Sequence, residues 1–342
     1  NTNDMGFPGG VGRGRFGAGR QGLNATKMLG ANFNYDDNSK LKLDGSLRWN
    51  HSDGDAMSKS SSENFVSTTG SFSNSLNQNY TRSDGWNAQM RLEWKPDTMT
   101  NIMFRPNFSY TTNDGRSTSS SASYNVDPYL HVTDPLSAES IAELASDSLM
   151  VNTRNNTSIR YSDSKKVGGM LQINRKIGNK GRNITLLANI DYNESNSKSL
   201  STSNVHLYKI KNSLGTDSLY QTNRYNLTPT KKWSYTLQTT YSEPLWKATF
   251  LQFSYKFNYS YSKSDRSTYN FSNLGEDYFG DLSPVYRGWN SYISRLNNPL
   301  ENYLDKDLSR FSEYKNYTHD IEMMLRVIRA KYNFNVGVLV EP

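Results

Sequence analysis

Thr249-Phe-Leu-Gln-Phe-Ser-Tyr-Lys-Phe-Asn-Tyr-Ser-Tyr261 is the stretch from which the rest of the chain is understood. Placed on a strand, Leu251, Phe253, Tyr255, Phe257, Tyr259 and Tyr261 fall on one face and Gln252, Ser254, Lys256, Asn258 and Ser260 on the other, because successive side chains point to opposite sides. Strands of a soluble sandwich alternate too, but they are usually shorter and bury Val, Ile and Leu in preference to a file of Phe and Tyr. Oil on one side and water on the other over roughly 9–11 residues is the signature of a transmembrane β-barrel strand.

The pattern recurs. Trp86, Ala88, Met90, Leu92 and Trp94 alternate with Asn87, Gln89, Arg91 and Glu93, and Ile102, Phe104, Pro106, Phe108 and Tyr110 with Met103, Arg105, Asn107 and Ser109. Trp233, Tyr235, Leu237, Thr239 and Tyr241 alternate with Ser234, Thr236, Gln238 and Thr240. Weaker copies lie at 29–35, 41–49, 167–177, 184–192, 317–327 and 332–340, so the period-2 template predicts about ten strands.

Two kinds of connection alternate along the chain. Tight turns are predicted at 36–39, 95–98, 178–181, 242–245 and 329–331; all but the last are rich in Asp, Asn, Gly, Pro or Ser, which supply positive or preset φ at low cost. Between them, polar segments at 51–84, 111–164, 193–230 and 262–314 predict long loops. Short turns in the periplasm and long loops outside the cell are how an outer-membrane barrel is strung. Within the second of these segments, 111–164, the run Ala138 to Met150 predicts a short helix capped by Ser137, with Ile141, Leu144 and Leu149 on one face, at the barrel mouth.

Trp49, Trp86, Trp94, Trp233 and Trp246 fall at predicted strand ends or in a turn, where an amphipathic ring suits the headgroup level. Trp86 and Trp94 are separated by about 20 Å along the membrane normal at about 3.3 Å per residue and roughly 40° of tilt, close to the height of an apolar band.

Composition is consistent with this. A mean hydropathy of −0.79 resembles that of a polar soluble protein; in a barrel, half of every strand and all of every loop are polar. No apolar run is long enough for a transmembrane helix, and no linker divides the 342 residues, so 1–342 is expected to be one partial barrel domain: a Gly/Arg-rich loop at 1–25, strands and loops over 26–342, and no plug domain. The N-terminus has no basic-then-apolar leader, so the chain is expected to be a trimmed or internal piece.

The absence of Cys excludes disulfides, zinc-thiolate sites and thiol nucleophiles. A net charge of +7, from 39 basic and 32 acidic residues, is modest. The tract Gly9 to Gly22 superficially resembles an Arg-Gly RNA-binding segment, but a loop offering arginines to lipopolysaccharide phosphates or the lumen is the better account, and no nucleic-acid partner is expected. His51, His131, His206 and His319 have no metal-ligand spacing, so no metal and no cofactor are expected. Asp53-Gly54-Asp55 lacks the rest of a calcium loop and is expected to be a turn. Asp277, Asp281, Asp305 and Asp307, with Tyr278 and Tyr286, are expected to be solvated loop chemistry.

Met5-Gly6-Phe7 with the Gly/Arg tract, Gly22-Leu-Asn-Ala-Thr26, Leu29-Gly-Ala-Asn-Phe-Asn-Tyr-Asp36, Gly45-Ser-Leu-Arg-Trp-Asn-His51, Ser62-Glu-Asn-Phe65 and Glu93-Trp-Lys-Pro-Asp97 together resemble the barrel region of Bacteroidetes outer-membrane proteins related to TonB-dependent receptors. The motifs cover the first third of the chain; the remainder matches in its rhythm of strands and loops. The resemblance implies a closed barrel of about 22 strands, an N-terminal plug and an energy-coupling protein as partners outside this chain, and the outer membrane as location.

The expected function is binding and import of a bulky nutrient, with no bond chemistry. Arg91, Arg105, Lys256 and Arg326 fall on the polar face and are predicted to point into the lumen, where they would favour anionic or hydroxyl-rich ligands; their ordinary role is to solvate the interior and to pair with Glu93 or Glu322. Two rivals stand beside this: a non-transporting surface or secretion-system protein, and an omptin-like outer-membrane protease using His51 with Asp53 and Asp55, or His206. The protease requires closure at ten strands, with the Gly30 and Val338 strands paired.

Overall fold

The computed structural model describes residues 22–38, 40–64, 72–178, 180–274, 278–279, 290–329 and 333–340. Ten strands follow one another: β1 (Gly22–Asp36), β2 (Leu41–Glu63), β3 (Phe72–Trp94), β4 (Thr100–Tyr124), β5 (Met150–Ile177), β6 (Arg182–Lys211), β7 (Asp217–Trp246), β8 (Thr249–Asn270), β9 (Leu304–Ile328) and β10 (Asn333–Val340). They form a single sheet in chain order, each antiparallel to the next, so the connections at 37–40, 95–99, 178–181, 247–248 and 329–332 share one end and those at 64–71, 125–149, 212–216 and 271–303 the other. No helix among the described residues is long and apolar enough to cross a membrane.

The tight turns are built as their residues dictate. Asn38 takes φ 62° while its N–H donates to Asp36 Oδ1 at 2.8 Å. Asp37 Oδ1 accepts from the N–H groups of Lys40 and Leu41 at 2.7 and 2.9 Å. Gly178 and Gly181 adopt φ 68° and 90°, the left-handed region that glycine enters without steric cost. Asp97 accepts from the Met99 N–H at 2.7 Å, and that bond holds its carboxyl below the usual range. One turn is displaced from its expected place: Glu243 and Pro244 continue β7, and the chain reverses at Lys247-Ala248, where Arg329 donates to both carbonyls at 2.7 and 3.1 Å. Pro244 marks a register shift near the strand end, a position that tolerates a missing N–H.

The long polar segments are the main correction. Most of 51–84, 111–164, 193–230 and the flanks of 262–314 continue the strands, so β6 and β7 each reach 30 residues and a turn at 212–216 joins them. Alternation vanishes there because both faces meet water, yet the ladder persists and polar side chains pair across it, as in Ser60–Ser75 at 2.8 Å, Ser62–Ser73 at 2.8 Å and Ser203–Asn156 at 2.6 Å. Asp53-Gly54-Asp55 lies inside β2, not in a turn. Residues 22–25 belong to β1 and not to the Gly/Arg-rich loop, the rest of which lies outside the described residues.

The two faces separate as expected. On the outward side the register aligns Tyr192, Trp233 and Tyr261, then Ile190, Tyr235 and Tyr259, then Ala188, Leu237 and Phe257 across β6, β7 and β8. Ile190 is 61% and Leu237 49% exposed, while Ser254 on the other face is only 7% exposed, bonded to Gln238 and Thr240 at 3.0 and 3.2 Å. Phe33 lies so closely over Gly45 that a Cβ there would stand 2.4 Å from its ring, an aromatic covering a cross-strand glycine. The apolar outward positions are bounded by charge, Arg182 and Glu194 on β6 and Lys231 and Glu243 on β7. Those limits are about 30 Å apart along the normal at about 3.3 Å per residue and 40° tilt.

Above the band, two insertions close small cores against the same outward face. In the 125–149 segment, helix α1 (Ala138–Ser146) is capped by Ser137, whose Oγ accepts from the Ser140 N–H at 3.2 Å, and buries Leu144 with Ala122, Tyr124 and Met150. The helix ends at Ser146, short of the expected Met150, which opens β5. Lys59 reaches from β2 to Asp134 at 3.0 Å and holds that carboxyl below its usual range. In the 271–303 segment, Phe271, Phe279 and Tyr292 cover the row Ile159, Leu200 and Tyr225.

β1 and β10 are the edges of the sheet. Among the described residues β1 pairs with β2 and β10 with β9 alone, and every residue of both strands is exposed. The Gly30 and Val338 strands are therefore not joined, and the sheet is an open, partial barrel wall.

Candidate functional site

The lumenal face of β1–β4 holds a basic patch. Arg48, Arg91 and Arg105, with Asp44, Ser46, Gln89 and Asn107, border a depression of about 790 Å³. The β3–β4 ladder runs to Gln89↔Asn107 and resumes at Leu92↔Phe104, passing over Pro106, which has no N–H to give. The interruption leaves Arg91 and Arg105 facing each other across the two strands. Arg91 donates to Glu93 at 3.1 Å and is the register partner of Asp44. Arg48 and Arg105 have no carboxylate at salt-bridge distance among the described residues, so the patch carries cationic donors free for a ligand. Toward β6 the Asp191 carboxylate and Asn107 amide converge over Gly168, where a Cβ would stand 2.6 Å from Asp191 Oδ1 and 3.0 Å from Asn107 Oδ1.

By register Arg91, Arg105, Lys256 and Arg326 share the polar face of the sheet, and only Arg91 and Arg105 are on neighbouring strand positions. Lys256 is on β8, paired with Asp320 at 3.0 Å in place of the expected Glu322. Arg326, on β9, is the register partner of Phe250. Arg48 was not anticipated, although its alternation with Leu47 and Trp49 puts it in register with Ser46 and Asp44.

The histidines are dispersed. His51, beyond the band and stacked on Trp49, points outward with Nδ1 2.8 Å from Asp84 Oδ1 and Nε2 2.8 Å from Asp53 Oδ2. Asp84 first and Asp53 second raise its pKa, favouring an imidazolium that donates to both. His206 meets Asp217 at 2.9 Å beside the 212–216 turn. His319 is on the outward face within the band, where the Tyr255 hydroxyl and its Nδ1 lie 2.9 Å apart, so two polar groups exposed to lipid satisfy one another. No group of three or more His, Asp or Glu suited to a metal occurs among the described residues. Asp305 turns inward on its own backbone, accepting from the N–H groups of Asp307 and Leu308 at 3.1 Å each, while Asp277, Asp281 and Tyr286 lie outside the described residues.

A ten-stranded antiparallel wall, apolar outside and polar inside, with short turns at one end and strands far overreaching the band at the other, is an outer-membrane β-barrel fold. No family model and no curated protein matches the chain. Among solved structures it is similar to the RagAB peptide importer in its closed-closed state, with 9% identity, a TM-score of 0.32 and coverage of 94% of this chain and 47% of that one. It is also similar to BauA, the ferric preacinetobactin receptor of Acinetobacter baumannii, at 10% identity, TM-score 0.24, 92% and 53% coverage. The toluene transporter TodX of Pseudomonas putida follows at 9% identity, TM-score 0.19, 94% and 87% coverage. The chain spans about half the length of the first two.

Proposed function

We propose that the chain is one wall of a TonB-dependent outer-membrane transporter, a larger closed barrel that captures a bulky anionic or hydroxyl-rich nutrient and passes it through the lumen when a plug moves. The carrying observation is the Arg48, Arg91 and Arg105 patch, with Arg91 and Arg105 at opposite strand positions on the polar face and too few carboxylates to neutralise the three. The protein contributes binding and gating, and no bond is made or broken. Against the protease reading, the Gly30 and Val338 strands are not paired, and of its two histidine candidates His51 sits on the outward side with both ring nitrogens engaged while His206 meets Asp217 beside a turn. A surface protein without transport is the second reading, favoured by the length of wall beyond the membrane band.

The test uses the full-length protein in proteoliposomes and a fluorescein-labelled oligogalacturonate, with its neutral methyl ester as comparison. Binding of the acid in preference to the ester, weakened roughly tenfold or more in the R48Q/R91Q/R105Q variant, is expected. Equal binding of both probes by both proteins would overturn the lumenal assignment of the patch. Binding without energised uptake would favour the surface protein.

A further inference from the structure

Lys231 and Lys263 are direct cross-strand partners on the outward face of β7 and β8. Like charges so placed repel, with Cβ atoms roughly 5 Å apart. Neither of the flanking carboxylates lies between them: Glu194 approaches Lys231 from β6 at 3.4 Å, and Glu313, the register partner of Lys263 on β9, is held by Lys315 at 2.9 Å. Lys165, opposite Glu194 on β5, extends the row. Three ammonium groups thus share two carboxylates in this row; Lys315 stands one row below it, and Asp163 and Asp265 one row above.

The height of this row matters as much as its charge. Immediately below it, Trp233 and Tyr261 are stacked with centroids 4.1 Å apart and planes within 19°. Lys315 lies 5.7 Å from the Tyr261 ring. Aromatic rings of this kind mark the membrane–water boundary, so the lysines stand at headgroup depth over an apolar floor. An anion between Lys231 and Lys263 would turn their repulsion into two charge-assisted hydrogen bonds.

We propose that Lys231 and Lys263, flanked by Lys165 and Lys315, bind the phosphate of an outer-leaflet lipid headgroup, whose adjoining apolar part rests on the Trp233–Tyr261 stack. The site depends on the outer-membrane fold and is independent of transport, since it lies on the opposite face of the sheet from the arginine patch.

The full-length protein in phosphatidylcholine nanodiscs doped with diphosphoryl lipid A provides the test, with retained lipid A counted by native mass spectrometry. The K231Q/K263Q variant should lose lipid A roughly tenfold or more, whereas K231R/K263R should keep it. The K166Q/K232Q variant removes the same charge from the neighbouring lumenal positions and should retain lipid A as the parent does. Equal retention by K231Q/K263Q would overturn the proposal. So would equal retention of dephosphorylated lipid A, which would leave only the rings at work, or displacement by inorganic phosphate at the same phosphate concentration, which would make the pair a free-anion site.

Discussion

β6 crosses two environments without changing its conformation. Inside the band Ile184, Leu186, Ala188, Ile190 and Tyr192 alternate with Thr185, Leu187, Asn189 and Asp191; beyond it the strand continues as Asn193-Glu-Ser-Asn-Ser-Lys198, polar on both faces. Its ladder to β7 runs from Asn183↔Ser242 through Leu207↔Ser218 without regard to that boundary. Backbone hydrogen bonding decides that a strand exists, whereas the solvents on its two faces decide whether a period-2 pattern accompanies it. Where the band is flanked by lipid and water the pattern is strong; where both sides are water it disappears.

The contrast can be broken most severely where the upper region makes its own core. Phe271→Ala should cost about 3–5 kcal/mol of local stability by emptying the contact with Phe279 and Tyr303. Hydrogen exchange should show residues 290–303 opening while the ladder around Leu237 stays protected; opening of both together would mean the regions are a single cooperative unit.

Within the band, Tyr255→Arg puts a charge into lipid and removes the partner of His319, so a loss of about 2–4 kcal/mol is expected in denaturant titrations of the full-length protein in liposomes. Ser254 is too enclosed by Gln238 and Thr240 to serve as the lumenal control, so Ser260→Arg is the fair comparison and should cost little. Equal losses would mean that the two faces do not see different solvents.

A smaller effect is expected at the helix of the upper region. Ser137→Ala removes the cap of α1 and should lower the stability of the 125–149 segment by about 1 kcal/mol, read by limited proteolysis. No change would show that packing of Leu144 alone holds the helix.

The smallest effect concerns His51 at the border of the two regions. Its folded pKa is raised, so its ion pairs stabilise fully below the ordinary value of about 6.5 and are lost as pH rises through the higher folded value. His51→Gln should flatten stability against pH over that alkaline side of 6.5. An unchanged slope would remove Asp84 and Asp53 as the cause.

The ten strands, their faces and the turns at 37–40, 95–99 and 178–181 were legible because each rests on local chemistry: alternation, Asp side chains that bond the nearby backbone, glycine at positive φ; the connection at 329–332 was legible only as the gap between two alternating runs. The turn at Lys247-Ala248 carries none of these signals, and its closing partner, Arg329, is more than eighty residues away. The upper strands were hidden for the reason β6 illustrates. In the candidate site, the direction of Arg91 and Arg105 followed from alternation, but their opposition depends on which strands are neighbours and on the ladder gap at Pro106. Lys256 met Asp320, 64 residues away on β9, because register and not proximity in sequence selects the partner.

The length of β5, β6 and β7 has a consequence for anything approaching the cell. From Tyr192 to Leu207 the paired wall rises about 40 Å above the aromatic boundary at about 3.3 Å per residue and 40° tilt. A large molecule therefore touches the hairpin tips well before it reaches the membrane plane, and its search over an open surface becomes a descent along a fixed wall. A change of sequence at the tips leaves the lipid-facing rows below untouched.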